Sequence, residues 1–276
     1  MASLLASAQL AICAFQGRST ALATAFVALV LLGCGAAENP LPEGYVAKLT
    51  AEAAPAESPV ATDWPRYLGP QGTGVSHETG WKTEWPAEGP TKLWTAKIGT
   101  GFSSTAIAGE LAFTMGHSDG NDTVFAFDAA TGKEIWKHSY PCKLVDNLHE
   151  GGPAATPTVE NHRVYTISKE GHVFALDAAK GDVIWKVELQ PLLGVEMPAW
   201  GYSGSATIVG DMVIFDAGRV VALNKNTGEV VWKTDAFKAG YGSATKFEHQ
   251  GETLLAVLNN ECLLVLKAAD GTEFAR

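Results

Sequence analysis

Val124-Phe-Ala-Phe-Asp-Ala-Ala-Thr-Gly-Lys-Glu-Ile-Trp136-Lys, Val173-Phe-Ala-Leu-Asp-Ala-Ala-Lys-Gly-Asp-Val-Ile-Trp185-Lys and Val220-Val-Ala-Leu-Asn-Lys-Asn-Thr-Gly-Glu-Val-Val-Trp232-Lys are one phrase written three times. A worn copy runs from Leu263 through Leu266, Asp270-Gly271 and Phe274, and Leu93-Trp94-Thr95 repeats the closing strand alone. Trp94, Trp136, Trp185 and Trp232 are 42, 49 and 47 residues apart, and Phe274 lies 42 further on. A period of about 45 residues marks a supersecondary unit whose apolar face is buried only by stacking on its neighbours.

Each copy reads as a short apolar strand, a turn, and a second strand closing on Trp-Lys. Gly132, Gly181, Gly228 and Gly271 occupy the turn position that needs a positive φ, which glycine adopts without steric cost. Upstream of each hairpin the spacing predicts another strand pair: 104–108 with 111–115, 156–159 with 163–167, 205–209 with 212–215, and 244–247 with 253–258. Four antiparallel strands per unit at this period predict the blades of an all-β propeller. No stretch beyond the N-terminus sustains a helical period.

The phrase resembles the repeat of pyrroloquinoline-quinone (PQQ)-type β-propellers, Ala-x-Asp-x-x-Thr-Gly-x-x-x-Trp, matched by Ala126 to Trp136. Later copies depart from it: Lys180 stands for Thr, Asn224 for Asp, and Lys267 with Phe274 for Asp and Trp. A WD-repeat propeller would end its strand in Trp-Asp, whereas these tryptophans precede Lys or Thr. The stretch Asp63-Trp-Pro-Arg-Tyr-Leu-Gly-Pro-Gln-Gly-Thr-Gly-Val-Ser76 is similar to the lead-in of secreted PQQ-like repeat proteins of environmental bacteria. The resemblance covers residues 63–276. It implies a ring of seven or eight blades, of which four blades and one extra strand are visible. An arc of a larger ring, incomplete at the C-terminus, is therefore expected, because an open arc leaves edges that soluble proteins avoid. Self-association of two four-bladed halves is the alternative.

The N-terminus reads as an address. Arg18 precedes an apolar run from Ala21 to Leu32, long enough for a signal-peptide core and too short to span a bilayer. Gly33 before Cys34 resembles a bacterial lipobox, so residues 1–33 are expected to be a lipoprotein-type signal with lipid attachment at Cys34; an ordinary secretory signal is the alternative. Residues 34–62 are rich in Ala, Pro and Glu and poor in large apolar groups, as expected of a flexible tether. Its root-mean-square reach would be roughly 30 Å. Twenty Lys and Arg face 30 Asp and Glu, a net charge of −10 that argues against nucleic acid and against direct adhesion to anionic lipid. Membrane contact is thus expected only through the N-terminal lipid. Cys142 and Cys262, more than two repeats apart, are expected to be free thiols.

Few residues suggest chemistry. A quinone-dependent dehydrogenase needs a divalent cation, an Asp base and flat residues clamping the ring. The repeat tryptophans tempt as a clamp, but their recurrence at strand ends reads as packing between blades. There is no Cys-Cys pair and no Cys-x-x-Cys-His haem site. Asp119-Gly-Asn-Asp122 has a calcium-loop look but lacks a later bidentate Glu, and reads as a hairpin connection. His149-Glu150 reads as a polar turn. Gly201-Tyr-Ser203-Gly-Ser205 lacks the second glycine of a nucleophile elbow. No metal ligand and no catalytic residue is therefore named.

The blade lead-ins share Gly101-Phe-Ser-Ser, Gly152-Pro-Ala-Ala, Gly201-Tyr-Ser-Gly and Gly240-Tyr-Gly-Ser, small residues suited to a crowded axis. Phe102, Trp200, Tyr202 and Tyr241, with His149, are expected near one channel mouth, either lining a ligand or peptide site or plugging the funnel. The reading is a non-catalytic cell-envelope scaffold that binds an envelope protein or small ligand at a propeller face, with no cofactor. It resembles in kind the propeller lipoprotein of the outer-membrane β-barrel assembly machinery. The alternative is part of a periplasmic PQQ- and Ca2+-dependent alcohol dehydrogenase of the polyvinyl-alcohol-oxidising kind.

Overall fold

The structure, a computed structural model, describes residues 63–79 and 84–276. The signal segment 1–33, Cys34 and the tether 34–62 lie outside the described residues. Four sheets, each a four-stranded antiparallel meander, follow one another along the chain. Blade 1 holds β1 (Ala106–Ala108), β2 (Leu111–Ser118), β3 (Asn121–Asp128) and β4 (Glu134–Pro141). Blade 2 holds β5 (Thr158–Glu160), β6 (Arg163–Ile167), β7 (His172–Asp177) and β8 (Val183–Glu188). Blade 3 holds β9 (Thr207–Val209), β10 (Met212–Asp216), β11 (Val220–Asn224) and β12 (Val230–Lys233). Blade 4 holds β13 (Thr245–His249), β14 (Glu252–Leu258), β15 (Leu263–Lys267) and β16 (Glu273–Ala275). This is propeller architecture. Among the described residues no helix is long and apolar enough to cross a membrane.

The core is divided into seams between blades. Strand residues alternate in direction, so one strand serves two seams. On β7, Phe174 and Leu176 meet Phe113, Met115, Val124 and Trp136 of blade 1. Val173 and Ala175 of the same strand meet Val213, Phe215, Val221 and Leu223 of blade 3. A third cluster joins Ile214, Ala222 and Trp232 to Leu255, Leu264 and Leu266. Burial on both faces explains why the middle strands read as unbroken apolar runs.

The repeated Trp and Gly meet across each seam. Trp136 Nε1 donates to Ala178 O at 2.8 Å, and its ring lies where a Cβ on Gly181 would come within 2.6 Å. Trp94 does the same to Ala129 O and Gly132, Trp185 to Lys225 O and Gly228, and Trp232 to Ala268 O and Gly271. These glycines have φ between 72° and 77°, so both their backbone and their missing side chain are needed. Residues 92–97 around Trp94 have no strand partner, yet the indole holds its seam position.

The turn itself is fixed by an Asx side chain. Asp128 Oδ1 accepts from the Thr131 amide (2.7 Å) and hydroxyl (2.6 Å), and Asp177 Oδ1 accepts from the amides of Ala179 and Lys180. Asn224 Oδ1 accepts from Asn226 and Thr227, so the Asp-to-Asn departure keeps the acceptor. Lys267 has none to offer and instead pairs with Glu252 at 2.8 Å.

Three inner strands are shorter than the sequence predicts: β1 starts at Ala106, β5 at Thr158 and β9 at Thr207. The residues before β5 and β9 bond to the next blade instead of their own. Thr156 N donates to Ser205 Oγ (2.9 Å) and Ser205 N to Ser243 Oγ (2.8 Å). Thr158 Oγ1 donates to Ala206 O (2.9 Å) and Thr207 Oγ1 to Ala244 O (2.6 Å). A strap of residues 63–72 lies along these inner edges. Trp64 pairs with Ile107 through both backbone bonds, Pro65 O accepts from Val159 N, and residues 66–72 share a cleft with 205–207 and 243–246. One short helix was not predicted. α1 (Leu189–Leu193) spans a single turn, too short for a periodic signal, and buries Leu189 and Leu193 in the second seam.

Replacing Trp136 by Phe removes the indole donor and is expected to cost about 1–2 kcal/mol, whereas Trp136→Ala should cost about 3–5 kcal/mol. Urea midpoints should fall in that order, and Gly181→Ala should also lower the midpoint. A Trp136→Phe midpoint equal to wild type would show that the indole bond contributes nothing.

Candidate functional site

The aromatic residues of the lead-ins do not form one cluster. Phe102 is 54% exposed and meets His149 edge-on at 5.5 Å, while Trp200, 42% exposed, lies 5.2 Å from the Tyr241 ring. Tyr202 is buried, its ring against Gly171 and within the second seam. Bonds between separate segments hold this side of the molecule. Asn147 Nδ2 donates to Ala199 O (3.3 Å), the buried Lys169 Nζ to Trp200 O (2.8 Å), and Phe102 N to Pro153 O (2.7 Å). The 143–152 segment holds Val145 at φ 52° and Leu148 at φ 64°, the former a conformation that β-branched residues rarely adopt.

Behind Tyr202 lies Asp216 at the end of β10. Its Oδ1 accepts from Gly218 N at 3.2 Å and its Oδ2 has no partner. Burial pushes its carboxyl up to about 6, and its charge helps raise the Tyr202 phenol to about 12, after burial.

A second group of polar residues sits beside an open cleft of about 880 Å³ between blades 1 and 2. It follows from an unequal hairpin. β2 and β3 are 8 residues each, against 5 and 6 for β6 and β7, so the blade 1 hairpin overshoots its neighbour. The overshoot carries His117 and Asp122. Asp122, expected in a loop, lies instead in β3, is fully buried, and takes His117 Nδ1 at 2.7 Å on Oδ1. Its Oδ2 and the neighbouring Tyr140 hydroxyl have no hydrogen-bond partner. Burial raises the Asp122 carboxyl above its ordinary value, against the pull of His117 and the Cys142 thiol.

Cys142 follows β4 and is buried. Burial, and then the charge of Asp122, push its thiol up to about 12, which leaves it a poor nucleophile. From blade 2, Glu170 and His172 flank Gly171 at the hairpin before β7. Lys143 N donates to Glu170 Oε2 at 2.8 Å, and Lys143 Nζ lies 3.2 Å from Oε1. Burial opposes the Glu170 charge, but these Lys143 contacts outweigh it and lower its carboxyl. Ser168 Oγ bonds His172 Nδ1 at 3.1 Å, and the Tyr140 ring stands edge-on to His172 at 5.7 Å. One donor atom from each of Cys142, Glu170 and His172 lies within 4.8 Å of the others. Sequence reading missed this group because its members come from two repeats. The available signal was the excess length between Met115 and Val124.

Compared with known proteins, residues 76–245 and 169–273 match the profile of the family described as outer membrane protein assembly factor BamB, a PQQ-type repeat family. The BamB of Yersinia pestis is 28% identical over 154 residues, which are 52% of this chain and 36% of that protein. Among solved structures, the quinohemoprotein alcohol dehydrogenase of Comamonas testosteroni superposes with a TM-score of 0.57 at 15% identity, over 77% of this chain and 40% of that one. BamB from Moraxella catarrhalis gives 0.44 at 20% identity, over 64% and 51%. The chain thus spans about half or less of each relative's length, and the structural likeness is one of fold.

The raised carboxyl of Asp216 sets a pH dependence. Folding favours its protonated form, so its favourable effect is complete below about pH 4 and is lost as pH rises through about 6. The loss amounts to about 3 kcal/mol. Urea unfolding at pH 4 and pH 8 should find Asp216→Asn gaining on wild type at the higher pH; an equal difference at both would disprove the shift.

Proposed function

The chain belongs to the BamB family of PQQ-type repeat propellers, and from that membership we propose that it is a non-catalytic cell-envelope scaffold that recognises a protein partner in outer-membrane protein assembly. The observation carrying this reading is the pair of exposed aromatic contacts, Phe102 with His149 and Trp200 with Tyr241, held on lead-ins that are anchored by Lys169 and Asn147. Exposed aromatic side chains on a rigid base suit partner recognition, because they bury much area and lose little conformational freedom. Trp136, Trp185 and Trp232 are 7–9% exposed and committed to seams, so none of them has a free face for a planar ring.

In a strain expressing only the Phe102→Ala, Trp200→Ala, Tyr241→Ala variant, copurification with the assembly machinery should fall at least about tenfold. Outer-membrane barrel levels should fall with it while the melting temperature holds. Undiminished copurification and barrel levels would defeat this reading. The envelope address is proposed to rest on acylation of Cys34. Cys34→Ser should then leave the protein in the soluble periplasmic fraction, and its continued sedimentation with membranes would rule the lipid out.

A further inference from the structure

We propose that Cys142, Glu170 and His172 bind one thiophilic divalent transition-metal ion, Zn2+ being the fitting class, and that this ion joins blade 1 to blade 2. The three donors come from two repeats: Cys142 follows the last strand of one blade, and Glu170 and His172 stand at the hairpin of the next. Their donor atoms already lie within 4.8 Å of one another. Bonds of about 2.0–2.3 Å in a tetrahedral site separate ligand atoms by about 3.3–3.8 Å. Closing on an ion therefore asks for a contraction of about an ångström, within reach of side-chain rotation.

The donor chemistry selects the metal. One sulfur, one imidazole nitrogen and one carboxylate oxygen make a mixed set that suits zinc and its neighbours; calcium and magnesium take oxygen almost exclusively. Three protein ligands leave a fourth position for water, and the adjoining open cleft of about 880 Å³ supplies access. The surroundings resemble an outer shell. Ser168 Oγ holds Nδ1 of His172 at 3.1 Å and so fixes the ring, and the Lys143 amide holds one oxygen of Glu170 at 2.8 Å. The Lys143 ammonium on the other oxygen is 80% exposed, a competitor that swings into water readily.

An independent observation points to a cation here. Asp122 is fully buried, interacts directly with the Cys142 thiol, and leaves Oδ2 without a hydrogen-bond partner. A buried carboxylate oxygen with nothing to accept from is costly. His117 answers the other oxygen, and Lys169 lies further off with its amine spent on Trp200 O. A divalent ion that displaces the thiol proton would put positive charge beside that carboxyl group.

The test uses the full chain with Co2+ as the spectroscopic probe and Zn2+ as competitor. One Co2+ per chain should give a thiolate-to-cobalt charge-transfer band that Zn2+ abolishes. The band should vanish in Cys142→Ser and persist in Cys262→Ser. Because Cys142 belongs to the buried seam cluster, Glu170→Gln and His172→Gln provide partly exposed alternatives, with near-ultraviolet circular dichroism as the folding check. Zn2+ at about a hundredfold excess over its Kd should raise the wild-type melting temperature by about 5–10 °C, and that rise should be lost in His172→Gln. No cobalt band in folded protein, a band that survives Cys142→Ser, or an unchanged wild-type melting temperature would each overturn the site. The readout is the metal alone, so this inference and the scaffold reading can fail separately.

Discussion

An indole laid flat on a glycine, with its N–H on a carbonyl of the same turn, is the contact on which the rest of this structure depends. It needs three things at once: a strand that ends in Trp, a turn that reaches positive φ, and no side chain at that turn. Blades 1, 2 and 3 each supply the Trp that lies on the Gly of the next blade, and Trp94, outside the strands, serves the Gly of blade 1. How closely neighbouring blades approach at these turns is set by the contact of ring and turn. The apolar clusters then fill a gap whose size is already determined, which is why their members can vary among Phe, Tyr, Ile, Val and Leu.

Toward the inner edges the sheets end early, and their backbone groups need other partners. Ser and Thr hydroxyls on the adjacent blade provide them, and the strap of residues 63–72 continues the cover across all four blades. On the opposite side of the hairpins, blade 1 overshoots blade 2. Seam 2–3 is filled there by Tyr202, Leu189 and Leu193, whereas beside seam 1–2 lie Asp122, Cys142, Glu170 and His172. The polar group is a consequence of that mismatch in strand length.

The repeat made the architecture readable, because a phrase recurring at a constant period must do the same structural job each time. Asn224 in place of Asp left the turn intact because only its side-chain acceptor matters. What a repeat cannot convey is what differs between copies. Asp122 reads as a loop residue beside Asp119 and Gly120, yet two further strand positions bring it under cover with His117. Tyr202 reads like Tyr241 in an equivalent lead-in, but Gly171 leaves room for its ring and draws it inward. Cys142 and His172 are 30 positions apart in sequence with no spacing rule between them, and only the blade 1–blade 2 contact makes them neighbours.

The strap also bears on how the chain reaches this form. Residues 63–72 emerge before any blade, but some of their neighbours, at 205–207 and 243–246, emerge only with blades 3 and 4. Contacts that span so much of the sequence close slowly. Until blades 3 and 4 are in place, Tyr67 and Leu68 have only part of their cover, so a segment made before any blade is among the last to dock. A chain whose later blades have yet to form would hold that segment open.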